Sequence, residues 1–108
     1  MSFVCDGEIY NIPYDDILYI EKSNNQNYST IFTNNTSYNV NDTICNLNMK
    51  LEDVSFMKTH RSCIINLNNV KAYNYLENIV YFKNGETNLI SKQKRTLLKE
   101  RLLNKKII

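Results

Sequence analysis

The feature that most constrains this chain is the spacing of its strand-forming runs. SFVC, EIYNI, ILYIEKS, YSTIFT and TSYNV follow one another across the first forty residues, each bounded by a short polar cluster such as DG, NNQN or TNN. Connections this short leave no room for crossover helices, so neighbouring runs pair antiparallel. Asp6-Gly7 is a good two-residue hairpin turn, because both residues tolerate the left-handed backbone that such turns demand. The chain has only two Gly and one Pro in 108 residues. Its other turns therefore rely on Asn and Asp, whose side chains bond back to the local backbone.

Two segments break the pattern. In DTICNLNMKLE, residues 42–52, Ile44, Leu47 and Leu51 recur at the spacing of one helical face, and Asp42 or Thr43 can cap the first turn. The β-pattern resumes with SFMKT, SCIINL, VKAYNYL, NIVYF and TNLIS, with LEN and KNGE as turns and Asn84-Gly85 as a second hairpin signal. A second helix is predicted over 92–103, with Ser91 as its N-cap and Leu98 and Leu102 as its apolar pair. The expected class is mainly β, with antiparallel sheets, one short helix near 42–52 and a C-terminal helix near 92–103.

The length fits a single domain over 1–108 with one modest core. Hydrophobic residues are 43% and charged residues 22%, which suits a globular chain. Cys5, Cys45 and Cys63 are odd in number and widely spaced, which argues against a disulfide framework and for a reducing compartment. No apolar run approaches a bilayer span and MSFVCDGEIY lacks a signal-peptide pattern, so a soluble cytoplasmic protein without membrane contact is predicted. The N-x-[ST] matches at Asn34 and Asn41 are chance products of an Asn-rich chain.

Charge is unevenly placed. Residues 92–108 carry seven Lys/Arg against one acid, a net of +6, whereas the other 91 carry six basic and ten acidic side chains, a net of −4. That asymmetry points to a basic end facing nucleic acid or another anionic surface; a solvated helix face is the plainer alternative.

Chemistry signatures are sparse. There is no GxGxxG, Walker loop, HExxH or GxSxG, and one His with scattered Cys cannot build a zinc site. No cofactor or metal is expected. His60, the single histidine, sits in FMKTHRSCIINL between Lys58 and Arg61. A nucleophilic pair with Cys63 is disfavoured, since residues three apart in one strand face opposite sides, Cys63 inward and its neighbours outward. An enzyme is therefore not expected. Tyr28, Tyr38, Tyr73, Tyr75 and Tyr81 are candidate stacking platforms for single-stranded nucleic acid, but alternating strands favour packing for most of them.

In order along the chain stand DDILYIE, a polar loop, a hairpin, a short helix, FMKTHRSCIINLNNV, IVYFKNGE and SKQKR. This order resembles the LytTR DNA-binding domain, the effector domain of a class of bacterial response regulators, from about Ile12 to Leu103. Phe56-x-Lys58-x-His60-Arg61-Ser62, followed by Ile64-Ile65-Asn66, is similar to the family's F-x-R-x-H-R-S motif with its apolar strand and Asn. Ser91-Lys92-Gln93-Lys94-Arg95 is similar to its Ser-plus-basic run.

The resemblance implies antiparallel sheets stacked as an elongated sandwich. It also implies DNA contact through loops and strand ends, entering two successive major grooves and the minor groove between them. Carried over by position, Asn27 and Gln93 fall on the major-groove contacts and Arg61 on the minor-groove contact. Asn27 stands where some members have His, and Asn and Gln both suit adenine. Arg suits a narrow A·T-rich minor groove. Lys58 stands in for the motif's Arg and lacks its bidentate fork. Ser62, Lys92, Lys94 and Arg95 complete the implied DNA-binding set. His60 either contacts phosphate or groove, or braces the loop that carries Arg61.

The implied partners are promoter duplexes with tandem repeats, an upstream phosphoreceiver domain in a longer protein, and a second copy on DNA. The rival readings are a β-rich protein-interaction or ligand-sensing module, and a single-stranded nucleic-acid binder.

Overall fold

The computed structural model describes residues 1–25, 27–53 and 55–104. Lys105 and Lys106 of the basic terminus, and Gln26 of the NNQN loop, lie outside the described residues. Ten strands form among those described: β1 (Ser2–Cys5), β2 (Glu8–Asn11), β3 (Ile17–Lys22), β4 (Ser29–Thr33), β5 (Ser37–Val40), β6 (Phe56–His60), β7 (Cys63–Asn66), β8 (Val70–Asn74), β9 (Ile79–Phe82) and β10 (Thr87–Leu89). Helix α1 spans Ile44–Lys50 and α2 spans Arg95–Leu103.

The strands make three antiparallel sheets: the β1-β2 hairpin, a central sheet in the order β5-β4-β3-β7-β6, and an outer sheet in the order β10-β9-β8. Asp6 (φ 51°) and Gly7 (φ 79°) turn the first hairpin in the left-handed region, as the DG pair requires. At KNGE only Gly85 has positive φ (93°), and its N–H donates to the Phe82 carbonyl at 3.0 Å. That hairpin is therefore closed by a longer loop ending on a glycine rather than by a two-residue turn.

The central sheet is buried on both faces. On one face Ile17, Ile20, Ile31, Phe56 and Ile64 pack with Phe3 of the hairpin and with Ile44 and Leu47 of α1. On the other, Leu18, Tyr19, Met57, Cys63, Ile65 and Leu67 pack with Val80 and Phe82 of the outer sheet, Ile90, and Leu98 of α2. The result is a stacked arrangement extending 41 × 31 × 25 Å. A bulge in β3 between Ile17 and Tyr19 puts Leu18 and Tyr19 into the same core, out of strict alternation. Tyr19 then stacks between Phe32 (4.5 Å between centroids) and Phe82 (5.0 Å), tying the two sheets together.

Three expectations need correction. Every residue of β7 is buried, so the neighbours of Cys63 do not point out to solvent: Ile64 enters the second core. Alternation cannot reveal this, because a strand with a core on each face has no polar side. Second, His60 and Cys63 are not on one strand. They end β6 and begin β7, and they pair across the turn. Third, Ser91 makes no side-chain cap. Lys92–Lys94 form a 3-10 turn and α2 starts only at Arg95. In α1 the cap is Thr43, whose Oγ1 accepts from the Asn46 N–H at 3.1 Å. Within α2, Leu98 is fully buried and Leu102 packs beside it, while Leu97 and Leu103 face solvent.

Candidate nucleic-acid interface

The β6-β7 turn is the hinge of the site. Arg61 and Ser62 join the two strands, with His60 and Cys63 paired at its base. Neither Arg61 nor Ser62 has positive φ, so this is not one of the primed turns that match strand twist. A bulge at Thr59 absorbs the mismatch. The turn is fixed from inside by His60, whose Nδ1 accepts from the Ser62 N–H at 3.1 Å. It is fixed from outside by β3, where the Lys22 N–H donates to the Ser62 carbonyl at 2.9 Å. Arg61 projects from this rigid turn into solvent, with no ion pair to any described residue.

The loop between β3 and β4 is folded on itself. Ser23 N–H donates to the Tyr28 carbonyl at 3.0 Å, Tyr28 N–H to the Asn25 carbonyl at 3.0 Å, and Asn25 N–H to Ser23 Oγ at 3.2 Å. Asn27 is exposed on this loop. A depression of about 190 Å³ lined by Lys22, Tyr28, Cys45 and Arg61 joins the loop, the turn and the start of α1.

The basic run approaches from the other side. The Ser91 N–H donates to the carbonyl of Thr59, the bulged residue, at 3.1 Å, which sets the Lys92–Lys94 turn beside the end of β6. Lys92, Gln93 and Arg95 are exposed and Lys94 is half-buried. A second depression, about 250 Å³, is lined by Glu21, Lys22, His60, Ser62, Cys63, Asn88 and Leu89. Across it Asn88 Nδ2 donates to Glu21 Oε1 at 3.0 Å, linking β10 to β3.

The structure thus groups His60, Arg61 and Ser62 on one turn and pins the start of the 92–95 run to the strand beneath them. Asn27 stands on the adjoining loop. Lys58 is placed differently: it is half-buried within β6 and pairs with Ile64, so it shares the face of the hairpin and α1. Lys22 was missed by sequence reasoning. It is exposed and lines both depressions, between Arg61 and His60. Its signal was present, a cation closing a strong strand just before a polar loop, but nothing in the sequence showed that the loop abuts residues 60–62.

Cysteine chemistry finds no support here. Burial, with a smaller contribution from Glu21, pushes the Cys63 thiol up to about 12, the reverse of an activated nucleophile. Among the described residues no group of three or more His, Cys, Asp or Glu could hold a metal ion, and no helix is long and apolar enough to cross a membrane.

The family model of the LytTr DNA-binding domain matches residues 7–103. The chain belongs to the LytTr DNA-binding domain family. Accessory gene regulator protein A of Staphylococcus epidermidis, from two strains, is 32% identical over 75 residues, which is 69% of this chain and 31% of that protein. The match therefore spans about a third of the curated relatives' length. Among solved structures, the LytTr DNA-binding domain of a Bacillus cereus protein described as a methyl-accepting/DNA response regulator superposes with a TM-score of 0.75. It is 20% identical and covers 97% of this chain and 96% of its own. At that identity the likeness speaks for the fold, and it agrees with the stacked antiparallel sheets.

Proposed function

We propose that this LytTr domain is the sequence-specific double-stranded DNA-binding part of a bacterial transcriptional regulator. It acts in the cytoplasm and catalyses no reaction. Arg61 enters a minor groove, and Asn27 and Gln93 enter the major grooves on either side. Lys22, Lys92, Lys94 and Arg95 hold the phosphates, and Ser62 supplies a polar contact beside Arg61. Phosphate contacts set register and affinity, whereas the three readers set sequence preference. Lys58, half-buried on the hairpin face, is left with a peripheral phosphate contact. His60 braces the Arg61 turn.

The observation that carries this reading is the rigid presentation of Arg61. A guanidinium with no ion pair to any described residue stands on a turn held by His60 from one side and by Lys22 from the other. The backbone beneath Arg61 is already ordered, so only its side chain has freedom left to lose on entering a groove. Promoter sites with tandem repeats, a phosphoreceiver domain in the full protein, and pairing of two copies on DNA follow from the same reading. Linking two modest sites would raise affinity through effective concentration.

The test is a titration into a labelled A·T-rich promoter duplex, a scrambled duplex and single strands, at two salt concentrations. Preference for the matching duplex and a marked loss of affinity with salt are expected. Equal binding to the scrambled duplex, or none below about 100 μM, rejects sequence-specific recognition, since non-specific binding itself falls near 10⁻⁴–10⁻⁶ M.

A further inference from the structure

A cluster outside the sequence motifs carries a second contact. Tyr75, in the β8-β9 turn, lies under two cations of α2: the Arg95 guanidinium carbon is 5.5 Å from the ring centroid and the Lys99 ammonium 4.1 Å. Arg95 and Lys99 are four apart and share one helix face, an arrangement that destabilises a helix by like-charge repulsion. A carboxylate beside them would relieve it, and Glu77 in the same turn and Glu100 on the helix are close in sequence. Yet neither cation makes an ion pair to a described residue. The ring face attracts both charges without neutralising either. Tyr75 remains 44% exposed, Arg95 is exposed and Lys99 half-buried, so ring and cations reach solvent.

The cluster is tied to the proposed interface by hydrogen bonds. Asn74 Oδ1 accepts from the Leu76 and Glu77 N–H groups at 3.0 Å, closing the turn around Tyr75. Asn78, at φ 62°, donates from Nδ2 to the Ile90 carbonyl at 2.6 Å and accepts at its own carbonyl from the Ile90 N–H at 3.0 Å. The next residue, Ser91, is bonded to Thr59. One run of hydrogen bonds thus ties the Tyr75 turn, the start of the basic run and the strand leading to Arg61.

We propose that Tyr75, Arg95 and Lys99 form a clamp for the phosphate backbone of the duplex, with Tyr75 as the positioning residue for both cations. The clamp rests on the DNA-binding reading above and extends the contact beyond the base-reading loops. A duplex presents a phosphate charge about every 1.7 Å of axis, so two fixed cations one helical turn apart find acceptors at any register of sequence.

Fluorescence anisotropy with the matching and scrambled duplexes, from 50 to 200 mM salt, tests this. Lys99→Gln should make the slope of log affinity against log salt shallower by about 0.9, with an affinity loss on the order of fivefold at 0.1 M salt. Tyr75→Leu removes no charge, yet it should lower affinity and slope in the same direction, while Tyr75→Phe keeps both. The preference for the matching duplex should stay unchanged in all three. Wild-type affinity and slope in Tyr75→Leu, with its far-UV circular dichroism intact, overturns the clamp and leaves DNA recognition standing. Loss of sequence preference in Tyr75→Leu overturns it too, because a base reader behaves that way. Absence of wild-type duplex binding overturns the DNA reading itself.

Discussion

The buried side-chain amides of Asn66 and Asn69 converge on the carbonyl of Ile17, at 2.9 and 2.7 Å. Asn66 also donates to the Tyr14 carbonyl and Asn69 to that of Asp15, both at 2.9 Å. Two amides, one from the last residue of β7 and one from the 3-10 turn Leu67–Asn69 that follows it, thereby satisfy the backbone of the 3-10 turn Tyr14–Asp16 and the first residue of β3. Asn66→Ala leaves the Tyr14 carbonyl without its partner and is expected to cost about 2–3 kcal/mol. Asn66→Asp should cost more, because a carboxylate places acceptors against acceptors. Urea denaturation measures both, and a change within about 0.5 kcal/mol for Asn66→Ala would remove the network from the account of stability.

Arg61→Ala and Gln93→Ala should each weaken binding to the preferred duplex by about 1–3 kcal/mol. Each should relax preference at its own position, Arg61 in the central minor groove and Gln93 in one flanking major groove. Binding to a panel of single-base-pair substitutions checks the pattern. Two folded variants that bind every duplex as wild type does would show that the readers lie elsewhere.

His60 is predicted to act through geometry. His60→Ala removes the acceptor for the Ser62 N–H and should lower affinity without changing the salt slope. His60→Asn should recover most of the loss, because an Asn side chain can accept from the N–H two residues on. A slope shallower by about 0.9 in His60→Ala would instead make the imidazole a phosphate contact.

Cys63 and Cys45 should differ sharply towards an alkylating reagent. Cys45 is exposed and should label in the native protein, whereas Cys63 is buried and should label only on unfolding. Burial raises the Cys63 thiol from an ordinary value of 9.0 to about 12, so the folded state holds the neutral form. Tyr19 is also shifted upward, chiefly by burial. A raised folded value means that the stabilisation is complete below pH 9 and is lost as pH climbs towards 12. Chemical denaturation at pH 8 and pH 10.5 should show lower stability at the higher pH, and Cys63→Ser should not reproduce the whole difference. Rapid native labelling of Cys63 would contradict its placement in the core.

Much of the architecture was legible in sequence because it is written locally. Asp6-Gly7 demands positive φ, Thr43 caps the helix that follows it, and the closely spaced runs form the β1-β2, β3-β4-β5, β6-β7 and β8-β9-β10 hairpins, although the β3-β7 pairing that joins two of these units is long-range. The site was legible in part. Lys58 through Ser62 and Ser91 through Arg95 stood out as ordered clusters, and resemblance to a family supplied roles for them. Lys22 closed a strong strand before a polar loop and Lys99 sat in the basic tail, but neither belonged to an ordered cluster, and only the tertiary structure gave them neighbours.

The sequence by itself determined which residues are strands, where the chain turns and that charge collects at the C-terminal end, because backbone preference and turn chemistry act within a few residues. Tertiary structure alone decided that β7 is covered on both faces, that His60 stands across from Cys63, and that the Ser91 N–H reaches Thr59. It also placed Tyr75 beneath Arg95 and Lys99. All but the His60–Cys63 pairing join segments distant in the chain, and long-range pairing is chosen by the packing of whole sheets rather than by any window of residues.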